Sequence, residues 1–278
     1  MKALKRSINE RSTLQKGKRI INLKDCYALA REYNISLKDI EVLALEEAII
    51  PSRYERNTGT IGIEGQLKLL NSKIAVIGCG GLGGVIIEIL ARAGAGELVL
   101  ADGDIFSDSN LNRQLLSEIE NIDSPKVEVA TERIRRINPA IKVYPFYTFF
   151  NEETGPEILH GVKYAADALD NNPSRKILYH LCGELDIPVV HGAIGGFMGQ
   201  VGVYMPGKLT HLDFFGEGIT EKGAEEIAGV PSFAPYLIGS MEAGEIIKMV
   251  TGTGETLEEK LWIFDPSQLM SEFLSLGK

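Results

Sequence analysis

Two hydrophobic periods alternate along the middle of the chain. Lys73–Ile77 is a compact apolar run rich in β-branched residues, the pattern of a strand buried on both faces. Residues 78–84 form a glycine-rich tight turn, residues 85–93 carry helical periodicity, and Gly94 and Gly96 interrupt it. Glu97–Ala101 then reads as a second strand. Strand, glycine loop, helix and strand in that order describe a mononucleotide-binding βαβ unit.

The alternation continues. A helix is expected over Lys126–Ile137, stopping near Asn138-Pro139, followed by strands over 141–147 and 162–169 and a helix over 173–185. Residues 188–191 and 200–204 are further strands. A glycine-bearing loop over 206–229 precedes a helix over 236–250, a strand over 261–264 and a terminal helix over 267–276. Ahead of the βαβ unit, residues 1–20 read as a polar tail. Residues 23–47 read as two short helices divided at Asn34-Ile35-Ser36, with Ser36 placed to cap the second. The expected fold class is α/β: a Rossmann-like, doubly wound mixed β-sheet with flanking helices and a small N-terminal helical extension.

The chain has 278 residues, enough for one large α/β domain and a modest appendage. Acidic residues outnumber basic ones, 38 to 29, for a formal charge of −9. That balance opposes broad nucleic-acid binding, which needs a continuous basic surface. Arg133, Arg135 and Arg136 form a local basic patch or the solvated face of a helix. The basic N-terminus lacks the apolar run of a signal peptide. No apolar stretch approaches the roughly 20 residues that cross a bilayer, and Glu88 and Arg92 interrupt the best candidate. The 3 cysteines are widely separated, which suggests a reducing, cytoplasmic compartment with neither a disulfide framework nor a Cys-x-x-Cys zinc site.

Candidate chemistry begins with Gly78-x-Gly80-x-x-Gly83. Gly78 permits a tight turn, Gly80 lets backbone approach phosphate, and Gly83 lets helix and strand pack closely. Backbone amides at the new helix N-terminus, around Gly81, can receive anionic oxygens. Asp102 ends the second strand about twenty residues further on, where a carboxylate accepts both ribose hydroxyls. The loop alone fits NAD or FAD as well as ATP. The following stretch discriminates, because it places Asp102, Asp104, Asn110 and Arg113 in one short polar segment. Hydride transfer has no need of that concentration of acid, amide and guanidinium. A nucleoside triphosphate does: Arg113 and Lys126 can lie across its phosphates, and a carboxylate can place Mg2+.

Several motifs then agree in order: Arg53-Tyr54-Glu55-Arg56, the 78–83 glycine loop, Asp102-Gly103-Asp104, Ser109-Asn110-Leu111-Asn112-Arg113-Gln114, Ser124-Pro125-Lys126-Val127 and Leu169-Asp170-Asn171. On these, the sequence resembles the ubiquitin-activating-like adenylyltransferase superfamily, the HesA/MoeB/ThiF family. The resemblance covers most of residues 53–265. It implies that Arg56 reaches into a partner subunit's ATP site in a homodimer. It also implies that Arg113 and Lys126 contact phosphates, that Asp170 coordinates catalytic Mg2+ and that Asp102 holds ribose. Asp104 and Asn110 would shape the same pocket, with Asn110 near phosphate.

The implied reaction is adenylation of the C-terminal carboxylate of a small ubiquitin-like sulfur carrier ending in Gly-Gly, in thiamine or molybdopterin/tungsten-cofactor biosynthesis. Residues 1–52 would then be an N-terminal extension. Residues 53–278 would be the adenylyltransferase domain, with a C-terminal crossover and carrier-binding region. Many relatives carry paired Cys-x-x-Cys motifs for zinc; this sequence has none, so no zinc is expected. Residues 205–235 lack the cysteine of members that form covalent links. Cys182 is expected in the core, and Cys79 as a small side chain tolerated in the loop.

Other readings remain open. His191 either faces the carrier-tail groove or is structural. Phe197, Met198 and Met205 line a carrier surface or pack in the core, and Arg175 reaches the site or caps its helix. A tRNA-modifying dehydratase, a peptide adenylyltransferase, an NAD-dependent oxidoreductase and a non-catalytic scaffold subunit are the rival functions.

Overall fold

The computed structural model describes residues 1–208, 210 and 228–276. The first twenty residues, expected to be a tail, are folded. Helix α1 (Lys2–Arg11) sets Leu4 and Ile8 one turn apart and buries both. Strands β1 (Thr13–Gln15) and β2 (Lys18–Ile21) form a hairpin whose turn residues, Lys16 and Gly17, both have positive φ. Helices α2 (Leu23–Tyr33) and α3 (Leu37–Glu46) follow. Asn34 ends the first in the left-handed conformation, and Ser36 Oγ accepts the Asp39 amide to cap the second. Strand β3 (Ile49–Pro51) then runs parallel to β2. Ile8, Leu29, Ile40 and Ile49 close a core of their own. Leu45 packs with Tyr54 and Leu70, joining this unit to helix α4 (Gly62–Leu70).

The main sheet begins with β4 (Lys73–Ile77). Helix α5 (Gly81–Ala93) leads to β5 (Glu97–Ala101), and α6 (Lys126–Ile137) to β6 (Lys142–Phe146). After α7 (Gly155–Ile158), β7 (Tyr164–Asp167) and α8 (Asn172–Glu184) precede β8 (Val189–Gly195). Strand β9 (Met198–Tyr204), helix α9 (Phe233–Thr251), and strands β10 (Lys260–Asp265) and β11 (Met270–Ser275) complete it. The order across the sheet is β6-β5-β4-β7-β8-β9-β10-β11. The first five are parallel and the last three antiparallel, so the sheet is doubly wound and mixed, as the sequence implied.

The expected terminal helix over 267–276 is instead β11. Asp265 Oδ1 accepts the Ser267 amide and hydroxyl to make the turn, Leu269 takes positive φ, and the chain pairs back on β10. The expected 206–229 loop falls largely outside the described residues.

The two faces of the sheet carry separate cores. Val76, Leu98, Leu100, Ala166 and Val190 pack with α5, α6 and α9. Ala75, Ile77, Val99, Ala165 and Val189 pack with Leu178 and Cys182 of α8. Strand β4 has β5 on one side and β7 on the other. Successive windings therefore part above its C-terminal end and leave a crevice, the position where doubly wound sheets bind ligands.

Candidate active site

The crevice is a cavity of about 630 Å3, within the range of about 300–1,000 Å3 for small-molecule sites. Its floor is the glycine loop. Gly78 has φ +101°, and a Cβ there would run into the Ala168 carbonyl of the neighbouring strand end. Gly83 does not line the cavity. A Cβ on it would overlap the Gly78 carbonyl oxygen, so its role is close packing of α5 against the loop. Gly80 and Gly81, at the N-terminus of α5, do line the cavity. The N-terminal amides and positive dipole end of α5 thus face the cavity, where they suit an anion.

Asp102 closes one side. Its Oδ2 accepts the Cys79 amide at 2.7 Å and its Oδ1 the Asp104 amide at 2.8 Å, fixing the carboxylate against the glycine loop. Burial raises its pKa, against the lowering effect of these two bonds and of Lys126. Each oxygen keeps a lone pair for an incoming hydroxyl.

Lys126 is the first residue of α6, the unfavourable end of the helix dipole for a cation. It is buried, and its Nζ pairs with Asp104 Oδ2 at 3.0 Å. Its backbone amide also bonds the Asp104 carbonyl, so segments 104–106 and 123–126 are held together. Arg113 lines the same cavity, with Nη1 donating to the Ser109 carbonyl at 2.7 Å and Asn112 Oδ1 at 2.9 Å.

Asp170 lines the cavity from the end of β7, exposed, with Oδ1 accepting from Asn171. The turn that carries it is anchored from below. Arg175 of α8 donates to the Leu169 carbonyl and pairs with the fully buried Asp167 at 3.2 Å. Burial alone would raise the Asp167 carboxyl; Arg175, His191 and Tyr179 outweigh it and hold the group well below the usual carboxylate range. His191 is fully buried in this network. Its Nδ1 donates to Asp167 at 2.9 Å, and its Nε2 accepts from Gln200 at 3.0 Å. Burial lowers its pKa, so the imidazole is neutral, structural and away from any groove.

Gly78, Gly80, Gly81, Asp102, Asp104, Arg113, Lys126 and Asp170 are therefore brought together at one cavity. Asn110 is not among its lining: it is buried, and its Oδ1 accepts the Ser107 amide, shaping the loop that carries Arg113. Arg56 also lies outside the cavity, exposed and without hydrogen bond or ion pair among the described residues. Its neighbours Arg53 and Tyr54 are structural instead, bound to buried Glu41 of α3 and to Asn138.

Cys79 and Cys182 are buried. Burial pushes the Cys79 thiol well up and the Cys182 thiol to about 12, which suits packing and not nucleophilic attack. Phe197 and Met198 are exposed on the β8–β9 turn, Phe197 against Phe233, while Met205 packs on the core.

Sequence reasoning missed the roles of Gln114, Phe149 and Phe150 in lining the cavity. It also missed Asp167 as the centre of the buried network and Glu242 beneath β8. The Gln114 signal was present, immediately after Arg113 in the 109–114 motif. Phe149-Phe150, Asp167 and Glu242 come from three separate segments with no local pattern.

Residues 54–278 match the ThiF family. The chain is 34% identical over 224 residues to a protein of Haloferax volcanii described as a SAMP-activating enzyme E1, covering 79% of this chain and 83% of that one. It is 33% identical over 230 residues to the sulfur carrier protein adenylyltransferase of Thermus thermophilus, covering 77% and 82%. A Zea mays relative, adenylyltransferase and sulfurtransferase MOCS3-1, is 34% identical over 218 residues. The alignment takes 77% of this chain but only 47% of that longer protein. Among solved structures, E. coli MccB with succinimide superposes with a TM-score of 0.70 at 23% identity, covering 91% of this chain and 83% of that one, a likeness of fold.

Proposed function

Since the chain belongs to the ThiF family, we propose that it uses ATP to adenylate the C-terminal carboxylate of a small ubiquitin-like sulfur carrier and releases pyrophosphate. The pathway would be thiamine or molybdopterin/tungsten-cofactor biosynthesis. One observation carries the reading: a single cavity joins a helix-N-terminal anion loop, a ribose-type acid, two cations and a further acid at neighbouring strand ends.

Strand order orients the substrates. Asp102, ending β5, takes the ribose hydroxyls, and the α5 N-terminus at β4 takes phosphate oxygens. Asp170, ending β7, faces the side left for the acyl group. The carrier carboxylate is already ionised at neutral pH and needs no strong base. Its oxygen attacks the α-phosphorus, the bond from that phosphorus to the β-phosphate oxygen breaks, and an acyl-adenylate and pyrophosphate form. Arg113 and Lys126 cover the charge that grows on the leaving pyrophosphate, and the loop amides hold the α-phosphate in line.

A single protein carboxylate together with substrate phosphates is a usual way of binding Mg2+, so Asp170 fits as its holder. Bound there, the ion would screen the triphosphate. Arg56, exposed and without hydrogen bond or ion pair among the described residues, supports a homodimer in which it completes the neighbour's site. Three unpaired cysteines agree with a cytoplasmic protein. The N-terminal core, shared with the rest of the chain only through Ala140 among the described residues, supports a division into a 1–52 extension and a 53–278 adenylyltransferase domain.

The test is ATP–pyrophosphate exchange with Mg2+ and ubiquitin-like proteins ending in Gly-Gly from the same genome. Carrier-dependent exchange is expected. Exchange that needs a tRNA or an unrelated peptide instead, or NAD binding without ATP binding, would overturn the reading.

A further inference from the structure

Gln114 lines the cavity, is 8% exposed, and its Oε1 is buried without a hydrogen-bond partner among the described residues. Its amide lies across the glycine loop: a Cβ built on Gly80 would stand 3.5 Å from Nε2 and 3.8 Å from Oε1. A buried acceptor left unpaired costs about 1–3 kcal/mol, so this arrangement calls for a donor that the described residues do not supply.

The bound nucleotide is a poor source of that donor. Phosphate oxygens at neutral pH only accept, and the base, whose amino group donates, is carried by the ribose at the Asp102 end. The ribose hydroxyls are matched by Asp102 at the β5 side of the crevice, and Gln114 stands over Gly80 at the α5 N-terminus. The cavity extends past this point to Ile194 at the end of β8 and to Val230, whose carbonyl accepts from Asn112. Hence, among the described residues, the side of the crevice opposite Asp102 is left for the second substrate. An extended peptide entering there presents one N–H per residue.

We propose that Gln114 Oε1 accepts the backbone N–H of the carrier's terminal glycine, fixing the tail so that its carboxylate meets the α-phosphorus. Gln114 is thereby a specificity residue for a peptide tail over a simple carboxylic acid. This inference rests on the adenylation reading above.

The experiment compares two carriers in pyrophosphate exchange. One is the Gly-Gly protein that supports exchange with the wild-type chain. The other is its semisynthetic counterpart with glycolate in place of the terminal glycine, which swaps that N–H for an ester oxygen. In the wild-type enzyme, the ester carrier is expected to have a KM about tenfold higher, the order of one buried hydrogen bond. Gln114→Leu should raise the KM of the amide carrier by a similar factor and treat the two carriers alike. Its ATP affinity, measured by equilibrium dialysis, should stay within about twofold.

Discrimination that survives in Gln114→Leu, or a loss of ATP binding with carrier KM unchanged, overturns the proposal. Should Gln114→Leu not fold, Gln114→Glu keeps an acceptor in the same shape and must keep the preference for the amide carrier. Equal KM values for the two carriers in the wild type sink the proposal outright. Exchange without discrimination refutes this assignment alone, whereas no carrier-dependent exchange at all refutes the adenylation reading and this one with it.

Discussion

Glu242 of α9 is fully buried, and both its carboxyl oxygens lack a hydrogen-bond partner among the described residues. The carboxyl tucks against Gly192 of β8, where only the absence of a Cβ leaves it room. Burial pushes its pKa well above the ordinary 4.5; the negative charge of Asp167 adds to the rise, and Arg175 opposes it. The folded chain therefore keeps the proton in a range where the unfolded chain releases it. The unfolded state then binds fewer protons, so stability falls as pH rises above about 4.5, until the folded-state pKa is passed. Within that window the slope is about 1.4 kcal/mol per pH unit. At about 2–4 °C per kcal/mol for a chain of this order of size, that amounts to roughly 3–6 °C in Tm per pH unit. Glu242→Gln keeps the shape and removes the linkage. Thermal unfolding followed by circular dichroism at pH 5.5, 6.5 and 7.5 should show the wild type losing ground to the variant by that amount. Parallel Tm profiles would mean that Glu242 is ionised in the fold, and the argument would fail.

Asp170→Ala and Arg113→Ala should each lower carrier-dependent exchange by about 10²–10³-fold, as loss of one charge-stabilising group does, with Tm unchanged in a melting assay. Inactive Arg56→Ala and Arg113→Ala chains, mixed so that subunits exchange, should recover about a quarter of the wild-type activity. Half the dimers would be mixed, each with one intact site; no recovery would exclude a site shared between subunits. Gly83→Ala should cost about 1–3 kcal/mol in urea unfolding and abolish ATP binding, because its Cβ meets the Gly78 carbonyl. Gly59→Ala, with nothing within 4 Å, should behave as wild type. Arg175→Leu should lose about 3–5 kcal/mol by stranding the buried Asp167 charge, and Asp167→Asn in the same chain should restore part of that in the same unfolding assay.

The βαβ unit was legible in the sequence because every requirement there is local. A doubly buried strand must be apolar throughout, a helix entering on phosphate needs its glycines, and the ribose acid must end the next strand. Tertiary structure sets Gly83 and Asn110 behind the cavity wall and not on it, since only coordinates separate a residue that touches the cavity from one that shapes it. The N-terminal twenty residues misled for a different reason. In α1 a charged face outnumbers an apolar one made of Leu4 and Ile8, and that pair is worth burying only because α2 and α3 stand ready to cover it. Strand β11 likewise exists because β10 offers an edge; its own residues have no strong preference for strand.

What the sequence determined by itself was the glycine-loop end of the crevice, where loop, acid and cations lie close along the chain in the order that phosphate and ribose chemistry would ask for. Only the tertiary structure decided what lies beneath and beside it. Asp167, Arg175, Tyr179, His191 and Glu242 come from two strands and two helices, and the long-range packing of α8 and α9 on opposite faces of the sheet sets their charge states. The orphaned oxygen of Gln114 is of the same kind, since an unsatisfied acceptor is defined by what surrounds it in space.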